Sequence, residues 1–208
     1  LVNTDFVRQD NLGLYSLTLK AWRIGSSAVQ DLDLVEKGRP ILNKLGAETG
    51  ETVHLSVLDP SGGVVYISKV ESPKSISVQT KLGQVNPSWC TATGRSIIAF
   101  NPSAAEKVFA GTLEKFTSKT ITSSHKLKKI LEDVVNNGYS VTTAENHPDM
   151  GGIAAPIRDF TGEVIASCGV AIPEFRMNSE LIEKFIPIVI DSANSISRLL
   201  GCPLKFFH

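Results

Sequence analysis

The residues best suited to chemistry cluster in Ser88-Trp89-Cys90-Thr91-Ala92-Thr93-Gly94, where a thiol and two threonine hydroxyls meet the start of a helical pattern. A helix N-terminus stabilises a thiolate. Cys90 or Thr91 acting as a nucleophile would still need a base within hydrogen-bond reach, and its neighbours supply none. Cys90 therefore reads better as a small buried residue. Cys168, in an apolar run, reads as core. Of the four histidines, His54 alternates with Val53 and Leu55 and so points away from them, outward or into a polar edge. His125 and His208 sit in polar or terminal contexts. His147 shares a stretch with Glu145 and Asp149, which could form a weak metal site but reads better as a solvated loop. No G-x-S-x-G elbow, P-loop, Rossmann fingerprint or HExxH occurs. Catalysis lacks support, and neither a cofactor nor a metal is expected.

Binding is better supported. Met150–Pro173 reads as two apolar strands around a turn at Asp159–Gly162. Where a core strand would carry bulk, this pair offers Gly151, Gly152, Ala154, Ala155, Ala166, Ser167, Gly169 and Ala171. Small residues on facing strands leave room for a ligand or admit a close backbone. Thr91 or Thr93 is expected to cap the following helix through its hydroxyl. The unpaired N–H groups there could hold a small carboxylate against the small-residue strands.

The elements that must position these groups follow from periodicity. Phe6–Arg8 and Leu14–Leu17 flank Gln9–Gly13 as a β-hairpin too small to be stable alone. Thr18–Gly25 and Leu32–Gly50 read as helices, the second kinked or broken at Pro40. Thr52–Leu58 and Val64–Val70 are strands around Asp59–Gly63. Ile76–Thr80 is a further strand candidate. Trp89–Phe100, Ala104–Ala110 and Lys126–Asn137 carry helical spacing. Tyr139–Thr143 is a strand, and Asn178–Leu200 a long closing helix. Hairpins interleaved with helices predict an α+β fold, a mainly antiparallel sheet with helices packed on it.

The 208 residues are 42% hydrophobic and 20% charged, ordinary for a globule with its own core, and the formal net charge is zero. The chain as a whole is thus no electrostatic match for nucleic acid. Three cysteines without a CxxC favour a reducing compartment. No apolar run approaches ~18 residues. A cytoplasmic protein with no membrane partner is expected. The chain starts at Leu1, inside an apparent element, and an upstream segment is expected to precede it.

Pro87-Ser88-Trp89-Cys90-Thr91-Ala92-Thr93-Gly94-Arg95 resembles the Pro-x-His-x-Thr-Ala-x-Gly-Lys signature of the IclR family of bacterial transcription factors. Gly138–Val141, Glu145-Asn146, Ile153–Ile157 and the Gly162 turn are similar to that family's second signature. Phe6–Gly25 resembles the wing of a winged helix-turn-helix followed by a linker helix. The resemblance covers essentially the whole chain. It implies a GAF-like effector-binding domain over 26–202, behind a remnant of the DNA-binding domain and linker helix over 1–25. It implies a regulator, more commonly a repressor, that binds operator DNA through the absent part of that domain and assembles as a homodimer or tetramer. A small organic acid or related metabolite would bind between the helix start and the hairpin. Carried over, Trp89, Cys90, Ala92, Thr93, Thr142, Met150, Gly152, Gly169 and Ala171 are the effector-binding positions. Several depart from the family pattern: Trp89 replaces the common His, Arg95 the Lys, Gly152 a frequent Cys, and Thr142 a frequent acidic residue. Gly169 and Ala171 replace polar residues found in some members. Losing polar groups predicts a different or larger, partly apolar effector, not glyoxylate or pyruvate. An enzyme using Cys90 or Thr91, or a purely oligomerising domain, are the alternatives.

Overall fold

Alternating side chains on Thr52–Leu58 and Val64–Val70, joined by an Asp-Pro-Ser-Gly-Gly turn, build the centre of the fold. The computed structural model describes residues 2–30, 33–203 and 205. Leu32, the expected start of a helix, and His208 lie outside the described residues.

Two compact units are present, Leu1–Glu36 and Lys37–His208. In the smaller, β1 (Val7–Gln9) and β2 (Tyr15–Leu17) form the expected antiparallel hairpin, Val7 opposite Leu17. The Asp10 carboxylate accepts from the N–H groups of Leu12 and Leu14 and fixes the turn. Helix α1 (Leu19–Gln30) follows and continues past Gly25, where the sequence pattern had suggested a stop. A single helix glycine costs only ~1 kcal/mol.

Helix α2 (Asp33–Thr49) runs through Pro40 without a break. Then come β3 (Thr52–Leu58), β4 (Val64–Val70), β5 (Val85–Asn86), α3 (Ala92–Ile98), α4 (Pro102–Ala110), α5 (Ser124–Asn137), β6 (Ser140–Thr143), β7 (Met150–Arg158), β8 (Val164–Pro173) and α6 (Ser179–Leu199). The six strands of this unit form one antiparallel sheet in the order β5-β4-β3-β8-β7-β6, the α+β arrangement expected. Asn101, Ser123 and Asn178 cap α4, α5 and α6 through their side chains.

Two expectations are corrected. Ile76–Thr80 forms no strand. Its place beside β4 is taken by β5, with Val65 opposite Val85. Side chains hold the segment instead: the Thr52 hydroxyl donates to Val78 O, and Lys69 Nζ to Thr80 O. The helical pattern over Trp89–Phe100 is divided. Ser88–Cys90 is a 3-10 turn, Thr91 is extended, and α3 starts at Ala92.

The two sheet faces differ chemically. Val53, Leu55, Ile153 and Ile172 are fully buried. On their side, Leu55 and Ile196 of α6 both lie close to Gly38 of α2, and Val53 lies close to Gly46 of α2. The alternate residues of the same strands are small or polar: His54, Ser56, Gly152, Ser167, Gly169 and Ala171. Helix α3 lies on that face. The Ser167 hydroxyl donates to Thr93 O at 2.9 Å, and the Ser96 hydroxyl to Ala154 O at 3.0 Å. The small, polar face leaves room for a site beside α3.

Candidate functional site

A cleft opens where α3 meets that face. Its cavity volume is about 40 Å³, and about 430 Å³ with the open mouth included. Gly151, Gly152, Val170 and Ala171 of β7 and β8 form the floor, and Cys90, Thr91, Ala92 and Thr93 one wall. Thr142 of β6, Asn146 and Met150 close one end; His54, Tyr66 and Thr80 close the other.

The floor has to be small. A Cβ at Gly152 would stand 3.1 Å from Val170 O and 3.4 Å from the Ala92 Cβ. A Cβ at Gly169 would meet Ile153 O and the Ala154 Cβ within 2.6 Å, so Gly169 brings β8 close to β7.

Of the expected effector positions, Cys90, Ala92, Thr93, Thr142, Met150, Gly152 and Ala171 gather around this cleft, whereas Trp89 and Gly169 are not among its lining residues. Trp89 packs instead against the α4–α5 cluster of Val108, Leu127 and Leu131 and lies 6.0 Å from the Phe116 ring. Gly169 is covered by its neighbours on the sheet.

The expected capping does not form. Thr91 occupies the cap position of α3, but its hydroxyl donates to Pro87 O at 2.8 Å and no side-chain cap bond is made. The Thr93 hydroxyl is buried without a hydrogen bond of normal geometry, although the Tyr66 phenol is near enough to feel it.

The sequence reading missed His54, Tyr66, Thr80 and Asn146. His54 does point opposite to Val53 and Leu55, but inward. It is buried, stacks on Tyr66 with ring centroids 4.1 Å apart, and hydrogen-bonds Thr80 Oγ1 at 2.6 Å. Burial first, and then the Lys69 charge, lower its pKa to about 3, so it is neutral at physiological pH. The available signal was the alternation on β3 and β4, which puts both rings on the small-residue face.

Cys90 is no nucleophile. Burial pushes its thiol up to about 12, with Arg95 and Glu145 acting in opposite directions. Its neighbour is the Asn146 amide oxygen at 3.7 Å, which accepts a hydrogen bond and is no base. Behind it Arg95, 1% exposed, forms a two-pronged pair with Glu145 at 2.8 and 2.5 Å and donates from Nε to Trp89 O. The backbone of Glu145 is fixed by the Thr120 hydroxyl, which donates to its carbonyl at 2.6 Å. The Glu145 carboxylate is taken up by Arg95, and His147 lies 3.7 Å from the exposed Asp149. Among the described residues no group of three His, Cys, Asp or Glu side chains is placed to hold a metal.

Residues 26–198 match the family model described as bacterial transcriptional regulator IclR C-terminal. The chain is 31% identical over 189 residues to the HTH-type transcriptional regulator KdgR of Escherichia coli K12, covering 90% of this chain and 72% of that protein. It superposes on the crystal structure of the Thermotoga maritima IclR with a TM-score of 0.82 at 31% identity, over 96% of this chain and 81% of that one. An IclR homolog from Microbacterium hydrocarbonoxydans, crystallised with 4-hydroxybenzoate, shares the fold, with a TM-score of 0.82 at 22% identity over 96% of this chain and 81% of that one.

Proposed function

The chain belongs to the IclR family of bacterial transcriptional regulators, and on that premise we propose that the cleft beside α3 binds a small organic acid or related metabolite that controls operator binding. The domain from 26 to 202 is the sensor; residues 1–25 are the end of a winged helix-turn-helix and its linker helix. The protein works in the cytoplasm as a homodimer or tetramer and contacts operator DNA through its N-terminal domain.

One observation carries this reading. The small, polar face of the sheet, the start of α3 and a cleft coincide, and most of the expected effector positions line that cleft. A purely oligomerising domain has no use for a buried neutral histidine beside a cavity. Binding would act as a population shift, favouring one arrangement of the domains over another.

The test uses a regulator that carries this domain together with a DNA-binding domain. Adding effector should change operator affinity about 5- to 150-fold, the usual range of such couplings. Ala171→Leu, which fills the floor, should keep operator binding and lose the response. A full response in Ala171→Leu would place the effector elsewhere.

A further inference from the structure

We propose that residues 71–82 form a strap that opens to admit ligand to the cleft, with Glu51 as its latch. The proposal rests on the cleft being the effector site and adds how that site is entered.

The strap is fixed at its ends and loosely held between them. It leaves the sheet at Val70, where β4 ends, and rejoins it at Gly83, whose N–H donates to Tyr66 O at 3.0 Å. Between these points, among the described residues, no backbone-to-backbone hydrogen bond ties it to the sheet. Its apolar side chains add little: Ile76 and Leu82 are exposed, and Val78 is buried. A segment with few buried apolar contacts and no ladder of its own opens at small cost. Gly83 is suited to be one hinge. Its φ is positive, and open space surrounds it.

Side chains hold the strap down, and several converge on one carboxylate. Glu51, fully buried, accepts from Lys74 of the strap at 2.8 Å and from Arg176 at 3.0 and 2.7 Å. Arg176 in turn donates to Ile76 O at 3.0 Å. Glu51 thus grips the strap twice, directly through Lys74 and again through Arg176. The Ser72 hydroxyl donates to Gly50 O, the Thr52 hydroxyl to Val78 O, and Lys69 Nζ to Thr80 O. None of these bonds belongs to the sheet ladder, so the strap can lift while the sheet stays intact.

The strap reaches the cleft through Thr80, the one lining residue that it carries. That side chain closes the end beside Tyr66 and hydrogen-bonds His54 at 2.6 Å. Lifting the strap takes Thr80 out of the wall and opens that end. The other lining residues sit on β3, β4, β6, β7 and β8 or beside α3. Closure of a strap over bound ligand shields it from water and slows its release.

Cys90 reports the opening without any effector. It lines the cleft and is buried, whereas Cys168 is buried in β8 and does not line it. The experiment labels this chain with methyl methanethiosulfonate under native conditions at one fixed pH, since the thiolate is the reacting form. Mass spectrometry follows each cysteine separately, and amide exchange over 72–80 is measured in the same samples. Glu51→Gln should label Cys90 about tenfold faster than the parent, with Cys168 unchanged. Lys74→Met leaves Glu51 paired with Arg176 and should give a smaller gain, about threefold. It carries the test if Glu51→Gln does not fold. Faster exchange over 72–80 with unchanged Cys90 labelling overturns the proposal, because the strap then moves without opening the cleft. Equal acceleration at Cys90 and Cys168 also overturns it, because global unfolding then exposes both. Unchanged labelling and exchange in both variants mean that Glu51 is no latch. The probe is a cysteine and not an effector, so each of these failures leaves the sensor reading to the operator test with Ala171→Leu.

Discussion

Arg95 shows how one residue supports a site that it does not enter. It is buried, its guanidinium grips Glu145 through both prongs, and its Nε fixes Trp89 O. The pair therefore joins the turn before α3 to the stretch after β6, the two segments that carry Cys90 and Asn146. Removing one partner strands the other in a poorly solvated place, which typically costs ~3–5 kcal/mol. Arg95→Met should lose about that much in urea unfolding. Arg95→Lys, which keeps the charge but loses the fork, should fall between that variant and the parent. If Arg95→Met together with Glu145→Leu recovers most of the loss, the cost came from the stranded charge and not from lost packing. Little of this was legible in advance. Arg95 could be seen to stand where its relatives favour Lys, but its partner lies 50 residues along the chain, and local sequence carries no sign of such a pairing. The rejection of Cys90 as a nucleophile was legible, because a nucleophile needs a neighbouring base and the flanking residues offer none.

Elements were easier to read than contacts, because periodicity is local. The alternation in Thr52–Leu58 and the helical stripe in Asn178–Leu200 each specify an element without help from the rest of the chain. Ile76–Thr80 has a strand-like composition and no strand partner, so the pattern misled. Besides the bonds from Thr52, His54 and Lys69, a buried carboxylate helps to hold that segment. Glu51, with no exposed surface, accepts from Arg176 at 3.0 and 2.7 Å and from Lys74 at 2.8 Å, and Arg176 also donates to Ile76 O. Thr80, at the end of this segment, closes one end of the cleft. Glu51→Gln leaves two cations facing a neutral amide. Both cations are partly exposed, so the cost should be modest, about 1–2 kcal/mol, below that of a fully buried pair. The local effect should be larger than the global one, with amide exchange across 72–80 accelerating about tenfold or more. Unchanged exchange there would mean that the bonds from Thr52, His54 and Lys69 hold the segment without Glu51.

At the scale of the whole molecule, element order alone was enough to indicate an antiparallel sheet with helices packed on it, and the paired signatures placed the chain in its family. The shape of the cleft was not legible, since its walls come from β3, β4, α3, β6, β7 and β8, brought together only by the complete fold. His54 links that architecture to stability. Burial, and secondarily Lys69, lower its pKa from 6.5 to about 3, while Tyr66 stacks on it and Thr80 bonds it. In the unfolded chain it regains its ordinary value. Between pH 6.5 and 3 the unfolded state therefore binds a proton that the folded state refuses. Stability is full above pH 6.5 and falls as pH is lowered, at up to ~1.4 kcal/mol per pH unit. From pH 7 to pH 5 this group alone should remove about 2 kcal/mol. Asp59, held below its ordinary value by hydrogen bonds from Ser61, stays ionised over that interval and does not confuse the reading. Urea unfolding of the wild type and of His54→Gln at the two pH values isolates the term. The variant starts less stable, having lost the stacked ring, but its drop between pH 7 and 5 should be smaller by about 2 kcal/mol. Equal drops would mean that the cleft opens enough for His54 to take up its proton without unfolding, making the site itself sensitive to acid and giving ligand affinity, in place of stability, the pH dependence.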